Sequence, residues 1–499
     1  MDAVEVNHIQ MSDIISELEP LFNPKSVSLV GASKDPFSWG ARIFAHLVMG
    51  SYEGKIYPVN PNEDRIFGYD SYKKVPNSDL AVISVRAQLV PGVMEECAGA
   101  GVRAAVIVTS GFKESGADGA KLEEETTRIA RKSGIRFVGP NCMGVLSTTC
   151  SLTVSITPAF APKGNISIIS QSGTTGNVIV ETLAPRGIGF SKYVSSGNEA
   201  DLHFEDYLGY LAQDDETKVI LGFIEGVRDG KKFLRVCRSL DKPFAVVKAG
   251  WTSMGKHAAA SHTGSLAGAD EVYDAIFRQT NVVRVHTIGE LMDVGAALSV
   301  QPQPNGNRLA VVTSGGGAGV MAADSCEEHG VVLAELSKDT LGKLDKILPP
   351  FWSHRNPVDM TTAAIGDITM QTRVIRTLME CGEVDRIILI AALGMLTVNR
   401  ARYEGRTFPE EMKNIIPRTD AVVALEEALA RQVVNMVKKY QKPVFSINPS
   451  VMLSTIDPYV AKIVRILSQG GVVSCVSPDD AIKAFRRAVE YKKRKSIES

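Results

Sequence analysis

The sequence predicts an α/β chain of three doubly wound domains with mainly parallel sheets, and three observations predict it. Short apolar runs alternate with helix-period stretches along the chain, the pattern of a parallel sheet whose crossover helices pack on its faces. Three times a strand leads through a turn of small residues into a helix, at Gly31-Ala32-Ser33, at Ser170 to Gly176 and at Ser314 to Gly319. A chain of 499 residues also exceeds what one core can serve, at ~100 to 200 residues per domain.

In the first region the apolar runs at 26–30, 55–59, 80–85, 104–108 and 135–138 are the strand candidates. The stretch 147–163 is rich in Ser, Thr and Pro and has no helical period, so it reads as a connector and closes a first domain at 1–146. A second series, 165–169, 189–194, 219–224 and 243–247, runs to the Pro-rich break at 301–307 and defines a domain at 147–300. A third series, 309–313, 386–391 and 443–447, fills 301–499. The turns that open the second and third series, Ser172-Gly173-Thr174 and Gly316-Gly317-Ala318, expose backbone N–H groups at a helix start, where an anion is favoured.

Composition excludes several classes. Lys and Arg number 55 against 56 Asp and Glu, so no global field draws the protein to nucleic acid or to an anionic membrane. The cluster Lys492-Lys493-Arg494-Lys495 ends an amphipathic segment, where cations complement a helix C-terminus. The seven cysteines stand singly, with no Cys-x-x-Cys pair and no zinc spacing. That argues against disulfides and a metal site and for a reducing cytoplasm. The N-terminus lacks a basic n-region before an apolar stretch, and no run reaches the ~18 apolar residues of a membrane span.

For the first domain a dinucleotide-binding dehydrogenase is the obvious rival. Gly31 is not followed by the full G-x-G-x-x-G fingerprint, and the second strand ends in Val59-Asn60-Pro61 rather than a carboxylate for a ribose diol. A ligand phosphorylated on its ribose, as coenzyme A is, would be repelled by such a carboxylate; an ordinary turn Asn explains Asn60 equally well. In the second domain Gly250-Trp-Thr-Ser-Met-Gly255-Lys256-His257 fits G-x-x-x-x-G-K, but His257 stands where Ser or Thr should hold magnesium. We reject it as a triphosphate site.

Just beyond lies His262, in Ala260-Ser261-His262-Thr263-Gly264-Ser265. Small neighbours leave room on the ring, and a neutral imidazole captures a phosphoryl group near neutral pH. Glu225, at the end of a predicted parallel strand, could accept a hydrogen bond from the other ring nitrogen, and the two anion-ready helix starts could hold the phosphate. A surface histidine, a solvated carboxylate and two structural glycine turns are the alternatives.

Seven runs in order along the chain then match a known family: Pro24 to Ser33, Tyr57 to Pro61, Gly139-Pro-Asn-Cys-Met-Gly144, Ser170-Gln-Ser-Gly173, Ser196-Gly-Asn198, Ser261-His-Thr-Gly264 and Asn356-Pro-Val-Asp359. The chain resembles the α subunit of the NDP-forming acyl-CoA synthetases, typified by ADP-forming acetate–CoA ligase and related to succinyl-CoA synthetase. The resemblance implies a Rossmann-like CoA-binding domain followed by two flavodoxin-like ligase domains. It implies an acid–thiol ligase that converts acyl-CoA to acyl phosphate, passes the phosphoryl group to histidine, and then to ADP, all reversibly. By motif, His262 is the phosphorylated residue and Glu225 its stabiliser; Ser172, Gly173, Thr174, Gly316, Gly317 and Ala318 hold the phosphate.

The same resemblance places the coenzyme A site on Gly31, Ala32, Ser33, Lys34, Val59, Asn60, Pro61, Arg86, Ser110, Gly111, Asn141 and Cys142. Arg86 stands where relatives usually have proline, so it reshapes one wall of that site or pairs with a phosphate. The loop Lys34 to Gly40 has two aromatics, Phe37 and Trp39, where relatives are often smaller. The family also needs an ATP-grasp module for ADP or ATP and Mg2+, which a separate β chain would supply, in an assembly of two α and two β chains. Two rivals stay open: a CoA-dependent acyl or carbamoyl transferase with no nucleotide step, and a non-catalytic acyl-CoA-binding subunit. The acid, the choice of ATP or GTP, and a role for Asn356 and Asp359 are not legible.

Overall fold

The computed structural model describes residues 14–157, 160–257, 269–303, 306–361, 367–390, 419–448 and 457–498, with 363 and 393 besides. The chain falls into two compact units, residues 1–181 with 189–288 and residues 182–188 with 289–499.

The first unit holds two large sheets. In one, β1 (Ser26–Val30) and β2 (Lys55–Val59) are followed by a short antiparallel ribbon of β3 (Arg65–Ile66) and β4 (Tyr69–Asp70). Then β5 (Leu80–Ile83), β6 (Ala104–Ile107) and β7 (Arg136–Val138) complete a five-stranded parallel sheet in the order β2-β1-β5-β6-β7. Every residue of β5 and β6 is buried, as strands covered on both faces must be, which is why they read as unbroken apolar runs. From β1 the chain steps to β2 on one side and later to β5 on the other. The strand order therefore reverses between β1 and β5, and a crevice opens at their carboxyl ends.

The second sheet begins with a hairpin, β8 (Gly144–Ser147) and β9 (Leu152–Ser155). Next come β10 (Lys163–Ser170), β11 (Phe190–Ser195), β12 (Val219–Ile224), β13 (Phe244–Lys248) and β14 (Val282–Val285), in the order β14-β13-β12-β10-β11-β8-β9. The hairpin joins antiparallel to β11; the other neighbours are parallel. The stretch expected to be a plain connector from 147 onward thus contains a buried strand, β9. Its Thr153 and Val154 have the β-branched character of a strand, but four residues among serines give no measurable period.

Polar side chains are drawn into this sheet only with partners. Lys192, in the middle of β11, is 1% exposed, and its Nζ donates to Asp214 Oδ1 at 2.7 Å. Asp214→Asn is expected to cost about 3 kcal/mol or more, because the ammonium is left buried without its counter-charge. Adding Lys192→Met should recover most of the loss, and denaturant unfolding of the single and double variants checks the order.

The second unit is built on β15 (Arg308–Thr313), β16 (Val332–Leu333), β17 (Val358–Asp359), β18 (Arg386–Ile390), β19 (Val444–Ile447) and β20 (Val472–Cys475). The order is β16-β15-β18-β19-β20, with β17 pairing the carboxyl end of β15, and every pair is parallel. Residues 182–188 and the helix Ile288–Val300 cluster with this sheet, held by Arg186, whose guanidinium donates to Asp293 Oδ1 at 3.0 Å and to the Ser474 carbonyl. The fold class is therefore mainly parallel α/β throughout, as the alternation predicts. Among the described residues no helix is long and apolar enough to cross a membrane.

Candidate active site

The crevice at the switch point of the first sheet is a cleft of about 410 Å3, walled by Gly31, the 38–40 turn, 84–88 and 109–111. Its floor is the turn after β1. Gly31 has φ +92°, and a Cβ there would lie 2.2 Å from the Ser84 carbonyl oxygen, so only glycine lets the two strand ends approach. Thr109 Oγ1 donates to the Val85 carbonyl at 2.7 Å, fixing the opposite wall. Ser38 caps the helix Trp39–Met49 by accepting from Ala41 N, and that helix starts on the cleft, where its dipole favours an anion.

Of the residues assigned to the coenzyme A site, Gly31, Arg86, Ser110 and Gly111 line this cleft. Arg86 is exposed and has no ion pair among the described residues. Asn60 supports the cleft from behind: its Nδ2 donates to the Ala32 carbonyl at 2.8 Å and its Oδ1 accepts from Asn62 N at 2.9 Å. Val59 is buried, its carbonyl accepting from Gly31 N at 3.0 Å. Ser33 Oγ accepts from Asp35 N, Lys34 pairs with Glu63 at 2.6 Å, and Pro61 is exposed. Asn141, at φ +58°, lies beside the second sheet, its Nδ2 donating to Asn198 Oδ1 at 3.3 Å. Cys142 is buried with its thiol against the Ile107 carbonyl, and burial pushes that thiol up to about 12; it is not brought to the cleft. Phe37 is exposed and Trp39 half-exposed at the rim.

The cleft continues into the second sheet through polar contacts. Glu114 Oε1 accepts from Gly111 N and Phe112 N at 2.6 and 3.2 Å, and its other oxygen accepts from Asn198 Nδ2 at 2.5 Å. Asn198 belongs to the turn after β11, whose carboxyl end lies beside that of β10. There the helix Gly173–Leu183 begins. The N–H groups of its first turn have no partner inside the helix. Ser172 Oγ accepts from Thr175 N and Thr175 Oγ1 at 3.3 and 2.9 Å. A Cβ on Gly173 would meet Met143 Cγ at 2.2 Å, so this start too is confined to glycine; Thr174 follows in the same turn.

Glu225 follows directly on β12, at the same edge of the sheet. Its main chain is held by Gln171, which no sequence pattern singles out. Gln171 Oε1 accepts from Glu225 N and Gly226 N at 2.5 and 3.0 Å, and its Nε2 donates to the Gly226 carbonyl at 2.7 Å. Beneath lies Glu199, 4% exposed and at φ +54°, with Oε1 accepting from Ser196 Oγ at 2.8 Å. Burial raises its carboxyl to about 7, against Ser196 and Gln171, which favour the charge. The only hint of these two residues in the sequence is their place inside or beside the runs Ser170 to Gly173 and Ser196 to Asn198. Lys248, buried at the end of β13, is lowered by burial while the nearby Glu225 carboxylate opposes the shift. His262 lies outside the described residues.

In the second unit the helix Gly316–Glu328, which opens with Gly316, Gly317 and Ala318, has Gly315 as N-cap with no side-chain cap. A Cβ on Gly316 would come 3.3 Å from Asp359 Oδ2, which sets that carboxylate at the helix start. Asn356 is structural: its amide donates to the Leu309 and Ala334 carbonyls at 2.8 and 3.1 Å and accepts from Val311 N at 3.0 Å, stapling β15 to the strand beside it.

Three family models match successive parts of the chain. Residues 25–148 match the family described as a CoA binding domain, 163–298 the succinyl-CoA ligase like flavodoxin domain, and 309–398 the ligase-CoA domain. The α subunit of ADP-forming acetate–CoA ligase II from Pyrococcus furiosus is 41% identical over 383 residues, 75% of this chain and 82% of that one. The ADP-forming acetate–CoA ligase of Methanocaldococcus jannaschii is 44% identical over 359 residues, 71% of this chain, which spans 50% of that relative's length. An acetyl-coenzyme A synthetase 1 chain of Ca. Korarchaeum cryptofilum, solved in complex with phosphate and ADP, has a TM-score of 0.79 at 32% identity, covering 96% of this chain and 97% of that one. At these identities and coverages the chain belongs to the family of ADP-forming acetate–CoA ligase α subunits.

Proposed function

We propose that this chain is the CoA-binding, phosphate-carrying subunit of an acid–thiol ligase that interconverts acyl-CoA, ADP and phosphate with a carboxylic acid, CoA and ATP. The observation that supports it most is the placement, within one compact unit, of two features. One is a cleft at the switch point of the first sheet; the other is Glu225 beside the helix start at Ser172 and Gly173, at the carboxyl edge of the second. Coenzyme A fits the first: the strand beside the cleft ends in Asn60, already used in holding the turn, so no carboxylate opposes a ribose phosphate, and Arg86 is placed for a phosphate.

In the reaction so read, phosphate oxygen attacks the thioester carbonyl and CoA leaves as the thiolate, giving an acyl phosphate. The His262 ring nitrogen then takes the phosphoryl group and the carboxylate departs. Glu225 accepts the hydrogen bond of the other ring nitrogen, stabilising the cationic ring, while helix-start amides at Ser172, Gly173 and Thr174 neutralise the phosphate; Gly316, Gly317 and Ala318 offer a second helix start of the same kind. ADP finally takes the phosphoryl group. The nucleotide and Mg2+ belong on an ATP-grasp β chain, in an assembly of two α and two β chains in the cytoplasm. The working division of the chain is 1–146 for CoA, 147–300 for the phosphohistidine and 301–499 for the second ligase domain.

Incubating the chain with radiolabelled acetyl phosphate should leave an acid-labile, alkali-stable phosphate that peptide mapping places within 256–268. Label on any other segment, or full turnover of the isolated chain without ADP, would sink this reading in favour of a nucleotide-free transferase.

A further inference from the structure

Glu225 can steady a phosphorylated imidazole only if its own backbone is fixed, and it sits just past the end of a strand. The side-chain amide of Gln171 holds the main chain there. Two main-chain N–H groups, from Glu225 and Gly226, converge on its oxygen, and the Gly226 carbonyl takes one of its N–H bonds. That pattern fixes which end of the amide is which. The same amide favours the charge on Glu199, whose Oε1 takes the Ser196 hydroxyl at 2.8 Å.

On this geometry, and resting on the function proposed above, we infer that Gln171 and Glu199 are positioning residues for Glu225: they set where its carboxylate meets the phosphate-carrying imidazole. Neither touches the reacting atoms. Glu199 orients Gln171, and Gln171 orients the Glu225 main chain.

The hold is pH-sensitive in a definite direction. Ionised, Glu199 accepts from Ser196 and attracts the Gln171 amide; protonated, it loses the charge that attracts that amide and one of its oxygens becomes a donor. Burial sets the changeover at about 7. The charged and titratable groups that face Glu199 are Glu205, His203 and Tyr207 at the start of the helix Phe204–Gln213, Tyr273 from the helix Asp270–Arg278, and Lys113 from the turn before the helix Ala117–Ser133. Glu205 disfavours the charge on Glu199 and His203 favours it. Because Glu199 is raised by burial, its charge is lost as the pH falls through about 7, and the hold on Glu225 weakens with it.

The test measures the rate of acid-labile phosphate uptake from acetyl phosphate by the full chain between pH 6 and 8.5. In wild type the rate should fall as the pH drops through about 7; Glu199→Gln, the neutral isostere of the protonated acid, should flatten that limb and hold the rate near its low-pH level throughout. Gln171→Ala should slow uptake by about 10- to 100-fold, the span typical of removing a residue that orients a functional group at second hand, yet change little when Glu225→Gln is already present. Ratios within each background cancel any general loss of folded protein. Additive effects of Gln171→Ala and Glu225→Gln, or an unchanged pH limb in Glu199→Gln, would overturn the inference while leaving the function standing. No label on wild type would overturn the function itself, and the inference with it.

Discussion

His262→Ala is expected to take up no acid-labile phosphate and to lower ligase turnover of the assembled enzyme by a factor on the order of 10^4 or more, the scale of deleting a covalent nucleophile. The loss is this large because the phosphoryl group must cross from acyl phosphate to nucleotide, and the substituted chain offers no nitrogen to receive it. Glu225→Gln should cost less, about 10^2- to 10^3-fold, since it removes a charge that stabilises the cationic ring rather than the atom that is phosphorylated. The two variants separate further by step. His262→Ala should still form acyl phosphate from acyl-CoA and phosphate, because that exchange needs only the CoA site, whereas phosphate–ATP exchange should vanish. Measuring both exchanges on both variants checks the assignment, and ATP formation by His262→Ala at the wild-type rate would end it.

The parallel sheets are readable in the sequence for a physical reason: strands buried on both faces, such as β5 and β6, are short continuous apolar runs set off by polar and turn residues. What escapes is short or polar. β9 hides among Ser and Thr, and β16 and β17 are two residues each, too short for any periodicity. Lys192 breaks the apolar pattern of β11, and only the structure shows its partner 22 residues away in Asp214.

The candidate site divides the same way. Gly31 and Gly173 can be found from sequence because a glycine between a strand and a helix marks a turn too tight for a side chain, and both are confined by backbone or side-chain atoms within 2.2 Å of a Cβ. Gln171 and Glu199 cannot, since their roles depend on which loops meet at the sheet edge: Gln171 and Glu225 are neighbours in space but lie 54 residues apart in sequence. Asn60 and Cys142 point the other way. Both sit in motif runs, yet the Asn60 amide is occupied by the backbone around it and the Cys142 thiol is buried against a carbonyl, so a place in a motif does not distinguish a ligand contact from its scaffold.

Gly31→Ala is the substitution expected to damage the CoA half of the site most. At φ +92° a side chain costs about 1 to 2 kcal/mol in backbone conformation. The new methyl would also lie 2.2 Å from the Ser84 carbonyl oxygen, so one strand end must move, adding about 1 to 3 kcal/mol of overpacking strain. Moving either end changes the cleft directly, because Gly31 and Ser84 both line it. Binding of coenzyme A, followed by titration calorimetry, should weaken by more than about tenfold, which is the 1.4 kcal/mol that even part of this strain exceeds. Gly92→Ala is the fitting control: it lies in the helix Val90–Ala100 with nothing within 4 Å of its Cβ. There the methyl should stabilise by about 0.5 to 1 kcal/mol through helix propensity and leave CoA affinity unchanged. If Gly31→Ala instead bound coenzyme A as tightly as wild type, the cleft at the switch point would not be the CoA site, whatever the variant's melting temperature.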